Sequence, residues 1–207
     1  ETYRHDDFEK IMATHVTATF SVSQAVAQGM IERGRGKIIN ICSILTDHAR
    51  PTAAPYGAAK AAIANLTRGM AADWARKGLN INAIAPGYFK TDLNEALIAD
   101  PAFNAWVEQR TPMGRWGEVE ELGPAAIFLA SDASSFVNGH ILYVDGAFTA
   151  VVCTRPHHHR HGRQLIGEID HWGGTRPGTA CPVSRWRQVP PGSQCRENAC
   201  RHAADRR

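Results

Sequence analysis

The sequence predicts an α/β chain built on a parallel sheet. Two features point there: short β-branched runs at 37–42, 79–84 and 141–144, and longer helical patterns between them. The first of these, β-branched, brief and preceded by glycine, suits a buried parallel strand. A third feature is chemical. Ser43 directly follows the first run, at the carboxyl end where open α/β sheets place their ligand crevice.

Residues 6–33 read as one long helix. Asp6 or Asp7 can cap it, and Phe8, Ile11, Met12, His15, Thr19, Val22 and Val26 recur at helical spacing. Gly34 and Gly36 end it and lead into the strand 37–42. Pro55 opens the next helix, which runs to about Lys77, since proline at the first helical position has its preferred φ and no N–H to leave unpaired. The many alanines of this helix, Ala58, Ala59, Ala61 and Ala62 among them, favour helix and let another backbone approach closely. Tyr56 and Lys60 lie four residues apart and so project from one face. An ammonium beside a phenol stabilises the phenolate and draws its pKa down from about 10. With the Ser43 hydroxyl, that set suits proton transfer to or from a carbonyl or an alcohol.

Gly78 ends the helix, and 79–84 is the next strand. Pro86-Gly87 then breaks the chain at that strand's carboxyl end, where a fixed φ and a missing side chain let backbone come close to a ligand. Residues 92–117 read as two short helices split by Asp100-Pro101, an insert able to cover a substrate. Phe103, Trp106 and Trp116 are either lid contacts or packing beneath the lid. Arg110 and Arg115 either hold a sugar-acid carboxylate in bidentate fashion or serve as solvated or capping residues. Residues 118–131 form an amphipathic helical pattern through Val119, Leu122, Ala126, Phe128 and Leu129, and 141–144 is the last strand.

Charge divides the chain. Residues 1–152 carry 13 Lys+Arg against 16 Asp+Glu, whereas residues 153–207 carry 10 against 4, with no lysine and four of the five cysteines. The first part is mildly acidic and shows no nucleic-acid footprint. Its one cysteine, Cys42, sits in an apolar run and fits a reducing compartment rather than a disulfide framework. No apolar run approaches the roughly 18–20 residues of a membrane span. The sequence opens without methionine, so the lack of a targeting segment carries little weight, and cytoplasm is the default. The basic tail, 153–207, has no useful periodicity and reads as disordered or as a wrong-frame continuation. Its functional alternatives are nucleic-acid attraction by ten arginines and a metal site from His157, His158, His159, His161 and Cys153, or from Cys195, Cys200 and His202. It lacks the order of close, then spaced, ligand pairs that zinc sites use, so no metal is assigned.

In order along the chain, Ser43, Tyr56-x-x-x-Lys60, Asn82-Ala-Ile-Ala-Pro-Gly-Tyr-Phe-Lys-Thr91 and the ending Asn138-Gly to Val144-Asp-Gly146 resemble the short-chain dehydrogenase/reductase family. Tyr-x-x-x-Lys alone is a weak pattern, and the ordered set is a strong one. More narrowly, the segments 49–56, 83–89 and 110–117 look like the gluconate 5-dehydrogenase subgroup. The resemblance covers residues 1 to about 152. It implies a partial Rossmann-type doubly wound parallel sheet, NADP or NAD as cofactor, and interconversion of a secondary alcohol and a ketone, with gluconate oxidised at C5 as the subgroup's reaction. Tyr56 would be the general acid/base, Lys60 would lower its pKa and hold the nicotinamide ribose, and Ser43 would bond the substrate oxygen. Cofactor contacts would come from Pro86, Gly87, the backbone of Phe89 for the carboxamide, and Thr91 for the pyrophosphate. Thr91 also reads as a plain helix cap. The family's relay asparagine falls on His15, which either stands in for it or is a packed helix histidine. The family further implies a homodimer or homotetramer acting on a small-molecule substrate, with neither nucleic acid nor membrane as partner.

By the same resemblance, the glycine-rich dinucleotide turn has no counterpart before residue 6, and four strands of an intact relative precede the first one here. The expected sheet therefore has a bare edge, and the polypeptide alone is expected to fold poorly or to need a complementing piece. One rival reading is a catalytically silent fragment that keeps only oligomerisation helices. Another is a nucleic-acid binder driven by the tail.

Overall fold

The structure, a computed structural model, describes residues 1–152, and the basic tail with its candidate ligands lies outside the described residues. Helix α1 (His5–Met12) passes through a π-helical turn at Ala13–Thr17 into helix α2 (Ala18–Glu32). The expected single helix is thus continuous in direction but wound wider around His15. Thr19 Oγ1 donates to the His15 carbonyl at 2.6 Å and satisfies an acceptor inside the widened turn.

Strand β1 (Gly36–Ile41) follows, then a short 3₁₀ turn at Ile44–Thr46, and then helix α3 (Ala54–Trp74), which crosses back to strand β2 (Leu79–Pro86). Helices α4 (Glu95–Ile98), α5 (Pro101–Arg110) and α6 (Gly123–Ala130) occupy the second crossover before strand β3 (Ile141–Val144). The strands are parallel in the order β1-β2-β3. Gly36 lies opposite Leu79 and Ile41 opposite Ile84, while Ala83 lies opposite Ile141. Among the described residues no strand pairs with the other edge of β1, as expected for this part of the sheet.

Helix α3 holds the layers together. Its buried residues Ala59, Lys60, Ile63, Ala64, Thr67, Met70 and Ala71 recur at three- and four-residue steps and face the sheet. Met70 and Ala71 pack with Ala27, Ile38, Leu79 and Ile81, and Ile63 and Ala64 pack with Cys42, Ala83, Ala85 and Ile141. Burying a side chain such as Leu79 or Ile81 contributes about 1.5–3 kcal/mol. One polar pair sits inside this layer: Asn40 Nδ2 donates to Thr67 Oγ1, whose hydroxyl donates to the Ile63 carbonyl, both at 2.8 Å.

Asparagines set the approach to β3. Asn82 donates to the Val137 carbonyl and accepts from the His140 N–H, and Asn138 accepts from Ile81 N–H and donates to the Leu79 carbonyl. The segment 118–131 departs from one amphipathic helix. Val119–Leu122 is 3₁₀, and α6 begins only at Gly123-Pro124, where proline restarts the helix. Of its apolar stripe only Leu129 is buried, with Leu122 and Ala126 half-buried and Val119 and Phe128 exposed. No helix among the described residues is long and apolar enough to cross a membrane.

Candidate active site

The carboxyl end of β1 delivers Ser43. Its N–H donates to Thr46 Oγ1 at 3.3 Å, and its Oγ accepts from Leu45 N–H at 3.1 Å, a reciprocal cap that fixes the side chain. Because the oxygen is the acceptor in that bond, the hydroxyl proton stays available for a ligand. The chain then loops through Arg50, Pro51 and Thr52 and enters α3 one residue before Pro55. Ala53 N–H donates to the Arg50 carbonyl at 3.2 Å, and Thr52 takes φ 66°, so this turn is tightly constrained.

Tyr56 and Lys60 leave α3 one turn apart, as their spacing predicts. Lys60 is 7% exposed, and its Nζ donates to the Ile41 carbonyl at 2.9 Å, at the end of β1. The same Nζ lies 5.5 Å from the centroid of the Tyr56 ring. His15 approaches the other way, edge-on to Tyr56. Ser43, Tyr56 and Lys60 are therefore brought together.

The electrostatics differ from the sequence expectation. Burial pushes the Tyr56 phenol above its ordinary value, while the Ser43 hydroxyl and the Arg50 charge pull the other way. Burial lowers the pKa of Lys60 itself, and its ammonium is turned to the Ile41 carbonyl. Burial and the Lys60 charge also hold His15 below its ordinary value.

A cavity of about 440 Å³ opens beside this group, lined by Ser43, Arg50, Tyr56, Gly87, Tyr88 and Asn94 among others. Gly87 is in place because a Cβ there would stand 2.8 Å from Asp145 Cα, and its N–H donates to the Val144 carbonyl. Pro86 ends β2 opposite Val144. Phe89 is buried and bridges to Gly117, but the bridge bonds use Tyr88 and Lys90, and the Phe89 carbonyl accepts from Asn94 Nδ2. Thr91 precedes the 3₁₀ turn Asp92–Asn94 without a side-chain capping bond, so its hydroxyl does not serve as the plain cap.

The aromatics of the insert pack rather than line the cavity. Tyr88 takes Phe103, Trp106, Trp116 and Phe148 edge-on at 5.4–5.8 Å, and Trp116 Nε1 donates to Asn104. Both candidate carboxylate-binding arginines are committed inside the chain. Arg110 donates to the Phe148 and Val151 carbonyls and stacks 4.4 Å from the Phe148 ring. Arg115 forks onto Glu121, holding that carboxyl down to about 2. Arg50, which the sequence reading passed over, is the arginine that reaches the cavity. The available signal was its place in the short loop between Ser43 and Tyr56, next to a proline. Among the described residues no cluster of three metal-ligating side chains occurs.

A family profile described as enoyl-(acyl carrier protein) reductase matches residues 1–149. The chain belongs to the short-chain dehydrogenase/reductase family. Within that family, gluconate 5-dehydrogenase of Gluconobacter oxydans (strain 621H) is 58% identical over 149 residues, covering 72% of this chain and 58% of that protein. The 5-keto-D-gluconate 5-reductase of Escherichia coli (strain K12) is 49% identical over 150 residues, covering 72% of this chain and 59% of its own. Among solved structures of the family, a gluconate 5-dehydrogenase from Burkholderia cenocepacia J2315 in complex with NADP and tartrate superposes with a TM-score of 0.72 at 56% identity, covering 73% of this chain and 59% of that one. The chain thus spans somewhat under two thirds of the length of the relatives it matches.

Proposed function

We propose that this chain carries the proton-transfer and substrate-binding side of an NADP- or NAD-dependent oxidoreductase that interconverts gluconate and 5-ketogluconate. The observation that carries the reading is the convergence of Ser43, Tyr56 and Lys60 at one end of a parallel sheet, beside a cavity of about 440 Å³. The names of its relatives, gluconate 5-dehydrogenase and 5-keto-D-gluconate 5-reductase, support the substrate, and the NADP complex of a relative supports the cofactor.

The residues present suit such a cofactor. Lys60 spends one N–H on Ile41 and keeps two for ribose hydroxyls. The Phe89 N–H lies outside its bridge bonds and can meet a carboxamide, and the Thr91 hydroxyl is free of any cap and can meet a phosphate. Pro86 fixes the chain's direction at this end of β2, and Gly87 leaves the backbone there bare of side chain. When bound, the nicotinamide supplies or accepts the hydride at the reacting carbon. Ser43 donates its hydroxyl to the substrate oxygen. Tyr56 gives its proton to the developing alkoxide in reduction and takes it back in oxidation. A phenol held above its ordinary value starts the reduction in the acid form.

The same reading places the protein in the cytoplasm as a homodimer or homotetramer. The exposed Val22 and Val26, one turn apart on α2, support a covered helical face.

The test is purified chain, alone and with the amino-terminal part of the Gluconobacter enzyme as complementing piece, mixed with NADPH or NADH and 5-ketogluconate, with nicotinamide fluorescence reporting binding and absorbance reporting turnover. Turnover is expected. Neither binding nor turnover, with the Gluconobacter enzyme active under the same conditions, overturns the reading in favour of a silent fragment.

A further inference from the structure

We propose that Arg50 is the specificity-determining residue of this cavity, binding the carboxylate of an acidic sugar while Ser43 and Tyr56 engage the reacting oxygen. The inference rests on the oxidoreductase reading above and names the chemistry its substrate must carry.

Among the described residues Arg50 is the one charged side chain lining the cavity. Its neighbours there, Ser43, Thr52, Tyr56, Tyr88 and Asn94, are neutral hydrogen-bonding groups. With Ile44, Leu45, Ala53, Leu93 and Leu97 completing the wall, the cavity offers polar partners for a hydroxylated ligand and one cationic partner for an anionic group. The other cations near the site are already used. Arg115 is paired with Glu121, Lys90 with Glu118, Arg110 with backbone carbonyls and Lys60 with Ile41. No ion pair among the described residues involves Arg50.

The backbone that carries Arg50 is also constrained. Arg50 is half-buried, Pro51 fixes the next φ, and Thr52 at φ 66° with the Ala53-to-Arg50 bond closes the turn. A planar fork loses less freedom per hydrogen bond on binding a carboxylate, and its two parallel N–H bonds match that group's oxygens. Arg50 and Tyr56 line the same cavity, and the Arg50 charge pulls the phenol's pKa down. A carboxylate bound to it cancels that pull and keeps the phenol protonated for reduction.

The experiment titrates the chain, Arg50→Gln and Arg50→Lys with gluconate and with sorbitol, in which the carboxylate is replaced by a hydroxymethyl group. Binding is read by ligand-observed NMR, and KM and kcat are read on the same samples with NADPH and 5-ketogluconate. Arg50→Gln is expected to weaken gluconate and raise KM by about 10- to 100-fold, leave sorbitol unchanged and move kcat far less. Arg50→Lys is expected to recover part of the loss. Equal losses for both ligands, an unchanged gluconate affinity in Arg50→Gln, or no preference for gluconate in the unaltered chain overturns the assignment. A gluconate preference that follows Arg50 without any nicotinamide turnover overturns the oxidoreductase reading instead, so the two failures are distinct.

Discussion

His15 meets Tyr56 edge-on, with ring centroids 5.5 Å apart and planes at 85°. The π-helical turn at Ala13–Thr17 carries the imidazole to the face of α3 that also holds Lys60. Three titratable groups from two helices thus share one patch. At this place the chain has a ring that can cover the phenol and that carries a proton only in acid.

That contact has a pH signature. An unfolded imidazole titrates near 6.5, and the folded one lies lower because of burial and the Lys60 charge. The unfolded chain therefore binds more protons below 6.5, so stability falls as pH drops from there toward the folded value and is level above it. Urea midpoints at about pH 8 and about pH 5.5 should differ more for the chain than for His15→Gln. An equal difference would show that the imidazole is not held neutral by the fold.

The phenol of Tyr56 is expected to titrate above 10, since burial outweighs Ser43 and Arg50. The difference in tyrosinate absorbance between the chain and Tyr56→Phe isolates it. Arg50→Gln and Ser43→Ala should each move it further up. A value below 10 would mean that neighbouring charges win over burial.

Tyr56→Phe removes one hydroxyl and should lower kcat for 5-ketogluconate reduction by roughly 10²–10⁴. The melting temperature should hardly move, because the ring and its His15 contact remain. Full turnover in this variant would end the role given to the phenol.

Gly87→Ala places a Cβ 2.8 Å from Asp145 Cα, a backbone atom that cannot swing aside. The expected result is a loss of about 1–3 kcal/mol in chemical denaturation, with weaker NADPH binding as the end of β2 shifts. Unchanged stability and binding would show that β2 and the Asp145 turn separate freely.

Much of the fold was legible because its signals are local. The run Lys37-Ile-Ile-Asn-Ile, the glycines at 34, 36 and 78, and the alanines of α3 specify strand, stop and helix within a few residues of chain. The shared face of Tyr56 and Lys60 follows from helical periodicity alone. The insert is less regular. Arg110 and Arg115 look alike in sequence as candidate carboxylate ligands, yet one clasps carbonyls at 148 and 151 and the other clasps Glu121. Nothing in the local sequence announces the first of these partners.

Taken alone, the order of residues determined that strands and helices alternate, and that a tyrosine and a lysine share one helix face downstream of a serine at a strand end. Tertiary structure decided which charges act there. It turned the Lys60 ammonium toward Ile41, set the Tyr56 phenol above its ordinary value, and brought Arg50 to the cavity wall. The reason is physical: periodicity follows from covalent geometry over a few residues, whereas burial and charge–charge distances exist only once remote segments have packed.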